Sequence, residues 1–281
     1  VRRRFSSQFL GMNSTVVYAG DSAHIIDPGV FPAETARIHR FLEKAGIEKI
    51  TILLTHTHGD HISGWHDFRQ YRCFGHESIA RKSDAMRDND VKYLKGMWRK
   101  QGLENVEHLI FPNNIEYLPD DEFRNIAPAE FAFFHVPGHS VDMSAIVIPG
   151  EHLLFSGDML IQAPTPFVLR STRRYWKSLR IFRDLVSRYK IACLIPGHGK
   201  PAKSRQEILE RIRSEQQYMQ KLIWEGIKLA RSGAIGEELK SQLFRMSERY
   251  VQLHSHQANV QTFLRELDDW LSDENLDLEI Y

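Results

Sequence analysis

The feature that most constrains this chain is the junction of Ile50 to Leu54, short, wholly apolar and rich in β-branched residues, with Thr55-His56-Thr57-His58-Gly59-Asp60-His61. Such a run reads as a strand buried on both faces. The fold must therefore cover both sides of a sheet while placing His56, His58, Asp60 and His61 at its edge. Residues two apart at a strand end point the same way, so His56 and His58 can share one ion. A turn through Gly59 swings Asp60 and His61 toward a second. A lone histidine reads as a hydrogen-bonded loop residue, but four potential ligands this close together do not. Imidazole and carboxylate without thiolate suit zinc, iron or manganese.

Three further segments repeat the pattern of an apolar run delivering one ligand in a glycine-containing loop. They are Val136-Pro137-Gly138-His139-Ser140, Phe155-Ser156-Gly157-Asp158-Met159 and Ile195-Pro196-Gly197-His198-Gly199-Lys200-Pro201. Each alone reads as an ordinary turn.

The rest of the chain supplies a scaffold. Ser14 to Ala19 and Ala23 to Ile26 read as strands of a hairpin turning at Gly20-Asp21. Pro32 to Ala45 has a helical apolar period closed by Gly46. Glu77 to Gln101 is charged and helix-permissive, and Leu109 to Leu118, Phe131 to Val136 and Ala145 to Phe155 read as strands. Tyr175, Leu179, Phe182, Val186 and Tyr189 mark a helix that precedes a buried strand at Ile191 to Ile195. Beyond Pro201, Ser204 and Glu207 form a capping box, and the pattern stays helical to Ser272 with a break near Gly233 and Gly236. Residues 1–203 are thus expected to form the catalytic domain and 204–281 a helical extension.

Charge excludes a global attraction to nucleic acid or membrane: Lys and Arg number 37 against 36 acids, so an anionic partner must be met locally. Cys73 and Cys193 are too few and too distant for a disulfide framework. With no apolar run of signal or membrane-spanning length, the sequence reads as cytoplasmic. His24, His66, His76 and His135 read as surface or core histidines. Arg170, Arg173, Arg174, Lys177, Arg180 and Arg183 read as a solvated helix face or a phosphate-attracting rim. Val260, Phe263, Leu264, Leu267, Trp270 and Leu271 read as a core stripe, an apolar face that would also serve a homodimer. His254 and His256 lie just ahead of it.

H-x-H-x-D-H, then G-H-S, S-G-D and P-G-H-G, in that order, resemble the metallo-β-lactamase superfamily from about Asn13 to Pro201. The resemblance implies an α/β fold, a four-layer αββα sandwich. It implies two divalent metal ions, zinc first with iron or manganese as alternatives. His56, His58 and His139 would hold one, Asp60, His61 and His198 the other, and Asp158 would bridge them. Asp27 would support the ligand loop. Two adjacent cations lower the pKa of a shared water and stabilise an oxyanion, so hydrolysis is expected, with Asp60 also orienting the nucleophile or passing its proton.

Substrate must come from the remainder of the chain. Glyoxalase II enzymes are similar around the ligands, but Met159 to Pro166 lacks their glycine- and cysteine-containing pattern. Met159 and Leu160 stand where acyl-homoserine lactonases carry a tyrosine. An endoribonuclease group is similar in layout. The apolar composition of Met159 to Leu169 suits a small acyl ester or thioester as substrate first. RNA or another phosphodiester comes second, and iron-dependent oxidoreductase or dioxygenase chemistry is a lesser alternative.

Overall fold

A computed structural model describes residues 1–246, 253–273 and 276–280. Its first sheet runs in the order β1 (Arg2–Ser6), β2 (Asn13–Ala19), β3 (Ser22–Ile26), β4 (Lys49–Leu54), β5 (Arg72–His76), β6 (Ile115–Leu118). β1 to β3 are antiparallel, with Gly20 in the expected hairpin at φ +57. β3 to β6 are parallel, and parallel neighbours need crossovers. These are α1 (Pro32–Lys44), then the short α2 (Gly59–Ile62) and α3 (Trp65–Phe68), then α4 (Asp84–Arg99).

The second sheet comprises β7 (Arg124–Ile126), β8 (Ala129–His135), β9 (Ser144–Ile148), β10 (Leu153–Phe155) and β11 (Cys193–Ile195), in the spatial order β11-β10-β9-β8-β7. β10 and β11 are parallel, joined across α5 (Thr172–Arg188). β9 is antiparallel to both β8 and β10, so β8, β10 and β11 all end at one edge. α6 (Arg205–Arg231), α7 (Gly236–Phe244), α8 (His254–Arg265) and α9 (Leu267–Leu271) follow.

Apolar side chains sort into three layers of core. Val17, Ile26, Leu53, Phe74, Phe131, Phe133, Ile146 and Ile195 fill the space between the sheets. Ile38, Leu42, Ile52, Trp65, Phe68 and Leu94 pack α1 to α4 on the first sheet. Val147, Leu154, Leu179, Phe182, Leu222 and Phe263 pack the later helices on the second. The result is a mixed α/β sandwich with helices on both outer faces. Among the described residues no helix is long and apolar enough to cross a membrane.

Several expectations change in detail. Only Ile115 to Leu118 of the run from Leu109 pairs as a strand. Pro112 lacks a ladder donor, and Asn114 spends its side chain on Trp65 Nε1 and the Arg69 carbonyl. Ala145 to Phe155 folds back at Pro149-Gly150 into two antiparallel strands. β1, β5 and β7 lie outside the expected strands: Arg2-Arg3-Arg4 carries no apolar alternation, as suits an edge strand. Ser204 caps α6 by accepting from the Glu207 amide, but Glu207 takes the Lys203 amide rather than that of Ser204.

Candidate metal centre

Each of the four ligand segments begins where a strand stops. Thr55 to His61 follows β4, His139 follows β8, Asp158 follows β10 and His198 follows β11. Buried strands fix the positions of their last residues, and the loops beyond them converge on one edge of the sandwich. All seven expected side chains meet there in two groups, His56, His58, His139 and Asp158, and Asp60, His61 and His198, the donor atoms of each lying within 4.8 Å of one another. Asp27 belongs to neither group. Instead it accepts from Thr55 N (2.9 Å), Thr55 Oγ1 (2.7 Å) and His61 Nδ1 (2.9 Å).

His58 Nδ1 lies 3.1 Å from His56 Nε2 and 3.0 Å from His139 Nε2, so three ring nitrogens point at one spot. Two of the three are fixed on their far sides: His139 Nδ1 donates to the Phe167 carbonyl (2.8 Å), and His56 Nδ1 lies 3.1 Å from Thr55 Oγ1. His198 Nδ1 donates to the Leu10 carbonyl at 3.2 Å. A carbonyl can only accept, so Nδ1 of His139 and of His198 carries a proton and Nε2 is the nitrogen turned inward, the usual bracing of imidazole ligands. Asp158 stands between the groups. Its Oδ1 is 3.1 Å from His61 Nε2 and 3.5 Å from His198 Nε2, and its Oδ2 is 3.3 Å from His139 Nε2.

The charges divide in the same way. Burial and neighbouring imidazoles push His56 well below the ordinary histidine range and His58 down to about 3. Burial also opposes charge on His61 and His198. There, however, Asp158 leads the nearby carboxylates in raising His61 well above its ordinary value and His198 to about 10. At the centre His61 Nε2 and Asp158 Oδ1 face each other at 3.1 Å without forming a well-directed hydrogen bond, an incompletely satisfied state for polar atoms in a core. An all-nitrogen and oxygen donor set whose inward-facing atoms satisfy one another incompletely fits divalent cations.

Sequence reasoning overlooked the side chains behind these loops. Asp142, fully buried, accepts from Thr57 and Ser140, and Lys82 and Asp90 join it. The one available signal was Asp142 lying three positions after His139. His24 and His66 bind only backbone groups, the ordinary outcome. His135 Nε2 donates to the Val141 carbonyl and braces the His139 loop. His256 is buried against Tyr218 and the Leu243 carbonyl, away from the ligands, and exposed His254 lies 6.1 Å, ring to ring, from Phe167. The expected apolar wall divides. Met159, Leu160 and Val168 enter the core, whereas the Phe167 ring lies 5.8 Å from that of His139.

Residues 8–198 match the family model described as the metallo-beta-lactamase superfamily. The chain belongs to the metallo-beta-lactamase superfamily. It is 26% identical over 234 residues, 81% of this chain and 48% of the relative, to an atrochrysone carboxyl ACP thioesterase of Aspergillus fumigatus. The chain spans about half the length of the curated relatives it matches. A metallo-beta-lactamase family protein of Thermus thermophilus shares the fold with TM-score 0.66 at 20% identity, over 96% of this chain and 93% of that one. A beta-lactamase domain protein of Burkholderia ambifaria does so with TM-score 0.66 at 19% identity, over 97% and 86% of the two chains.

Proposed function

We propose that this chain hydrolyses an acyl ester or thioester at a centre of two divalent ions, zinc in the first instance. His56, His58 and His139 would hold one ion and Asp60, His61 and His198 the other. The observation that carries the reading is Asp158, which turns one carboxylate oxygen toward each group of imidazoles. Ions bound there supply Lewis acidity toward a carbonyl oxygen and make hydroxide available at neutral pH. The chain's own part is to orient the ligands through Asp27, Thr55, Phe167 and Leu10, and to present Asp60 where a proton leaves.

The surroundings support an acyl group. Leu10, 72% exposed, lies beside His198, and the Phe167 ring lies beside His139. Tyr93 on α4 is half exposed, and partial burial with the nearby Asp60 and Asp158 carboxylates raises its phenol. An apolar and aromatic rim of this kind suits an uncharged chain, and a thioesterase stands among the relatives. RNA is the weaker reading, because basic residues near α5 are engaged within the chain, among them Arg173 with Asp273 and Arg180 with Asp277. Residues 204 onward act in this reading as the extension that backs the Phe167 loop.

The test is a panel of thioester, ester, lactone, β-lactam and RNA substrates, run with metal quantification on the wild type and Asp158→Ala. Thioester or ester turnover that is abolished by the substitution supports the proposal. Turnover unaffected by it refutes the mechanism, and RNA cleavage alone refutes the substrate class.

A further inference from the structure

We infer that Lys82, Asp90 and Asp142 form a buried charge clamp that positions the His56, His58 and His139 half of the centre. This rests on the two-ion reading above. Asp142 Oδ2 accepts from Thr57 N at 2.9 Å and Thr57 Oγ1 at 2.6 Å, and Asp142 Oδ1 accepts from Ser140 Oγ at 2.7 Å. Thr57 is the residue between His56 and His58, and Ser140 directly follows His139. One carboxylate thus fastens two loops that are 85 positions apart in the chain and that supply all three imidazoles of the group.

Lys82 Nζ completes the clamp. It donates to Thr57 Oγ1 at 2.9 Å, lies 3.5 Å from Asp142 Oδ1, and is bonded to Asp90. Asp90 belongs to α4, whose backbone lies directly against Gly59: a methyl group there would meet Leu94 N at 2.9 Å and Asp90 O at 3.0 Å. The same ammonium therefore ties the helix covering α2 to the loop carrying His56 and His58. Lys82, Asp90 and Asp142 are 5%, 7% and 0% exposed.

Stability does not explain such a group. Desolvating one cation and two carboxylates costs several kcal/mol per ion, and apolar residues of the same volume often serve a fold as well or better. What apolar residues cannot supply is a set of directed hydrogen bonds to the amide and hydroxyl of Thr57 and the hydroxyl of Ser140. The other half of the centre takes its orientation elsewhere, His61 from Asp27 and His198 from the Leu10 carbonyl. Loss of the Asp142 bonds to Thr57 and Ser140 should therefore be felt at one ion and not at the other, whereas a merely structural group would weaken both in proportion to lost stability.

The experiment titrates metal-stripped wild type, Asp142→Asn, Lys82→Met, Lys82→Arg and Ser140→Ala with zinc against a chromophoric chelator. Two stepwise affinities are read, assigned with His139→Ala and His198→Ala, and the thermal midpoint of each metal-free protein is recorded alongside. Asp142→Asn should weaken the His139-linked ion about 10–100-fold, the usual effect of removing a ligand's supporting partner, and leave the other unchanged. Lys82→Met should weaken the same ion at least as much as the other, since α4 also covers Asp60 and His61 on α2, Lys82→Arg less so, and Ser140→Ala should weaken the His139-linked ion alone by a few-fold. In a folded Asp142→Asn, equal weakening of both ions or no weakening overturns the clamp. Should Asp142→Asn fail to fold, Ser140→Ala decides, selective weakening supporting the clamp and unchanged affinities overturning it. A wild type that takes up one ion refutes the two-ion reading instead, and the clamp then stands or falls on whether Asp142→Asn weakens that ion.

Discussion

Removing the Asp27 carboxylate should unlatch the ligand loop from the sheet, at a cost that can be worked from three hydrogen bonds. Asp27 is 2% exposed and accepts from the Thr55 amide, the Thr55 hydroxyl and His61 Nδ1. In Asp27→Ala the Thr55 amide and His61 Nδ1 stay buried without this partner, at about 1–3 kcal/mol each, and the Thr55 hydroxyl keeps only His56 Nδ1. Asp27 also sits at φ +49, a region aspartate tolerates and alanine resists by about 1–2 kcal/mol. Non-additivity trims the sum, leaving about 4–6 kcal/mol, a large share of the roughly 5–15 kcal/mol that holds a typical domain together. Asp27→Asn keeps the backbone tolerance and an oxygen for the Thr55 amide but turns an NH2 toward His61 and Thr55 Oγ1, so about 2–3 kcal/mol should be lost. Urea unfolding with a chelator present, followed by circular dichroism, measures both, with the slope against urea unchanged. An Asp27→Ala midpoint equal to the wild type, or an asparagine variant less stable than the alanine one, would refute the reasoning.

Gly197→Ala would place a methyl 2.3 Å from Asp158 Oδ1 and 2.8 Å from His61 Cε1. Metal affinity should fall at least about tenfold in a chain that still unfolds cooperatively, as read by chelator competition, and an undiminished affinity contradicts the packing. Asn259 on α8 accepts from the Val168 amide at Oδ1 and donates an N–H to the Pro166 carbonyl, flanking the Phe167 carbonyl that orients His139. Asn259→Ala should cost about 2–3 kcal/mol for the unpaired backbone groups and loosen metal binding in a titration. Burial lifts the Glu215 carboxyl from 4.5 to about 8, against the lowering influence of the Tyr175 hydroxyl, the Leu160 amide and Arg211. The folded chain then binds the extra proton, so this contribution is full below pH 4.5 and is lost as pH rises through about 8, a swing of several kcal/mol. Glu215→Gln should flatten urea midpoints measured across that window, and an unchanged pH slope would contradict the assignment.

What the sequence made legible was the chemistry carried by short, repeated local patterns. Each ligand loop is an apolar strand ending in a turn, and that arrangement survives translation into three dimensions because a buried strand cannot shift register without exposing its side chains. The αββα layering was what the family resemblance implied, and two sheets with helices on both outer faces match it. Illegible were features assembled from distant and ordinary residues. Thr57, Lys82, Asp90 and Asp142 carry no joint pattern along the chain, and only folding brings them together. The arginines of α5 looked equally like a rim or a solvated face, and the fold gives Arg173 and Arg180 to Asp273 and Asp277. Val260, Phe263 and Trp270 turn inward to the core, as their helical spacing indicated, whereas the support α8 lends to the Phe167 loop rests on Asn259, a residue with no signature of its own.

The proposed mechanism stands on two ions flanking Asp158. Anomalous diffraction at the absorption edge of the metal found in the purified protein locates them directly. Two peaks about 3.5–4 Å apart, one among His56, His58 and His139, the other among Asp60, His61 and His198, with Asp158 between them, are the predicted result. A single peak, or density bound anywhere other than these seven side chains, would contradict it.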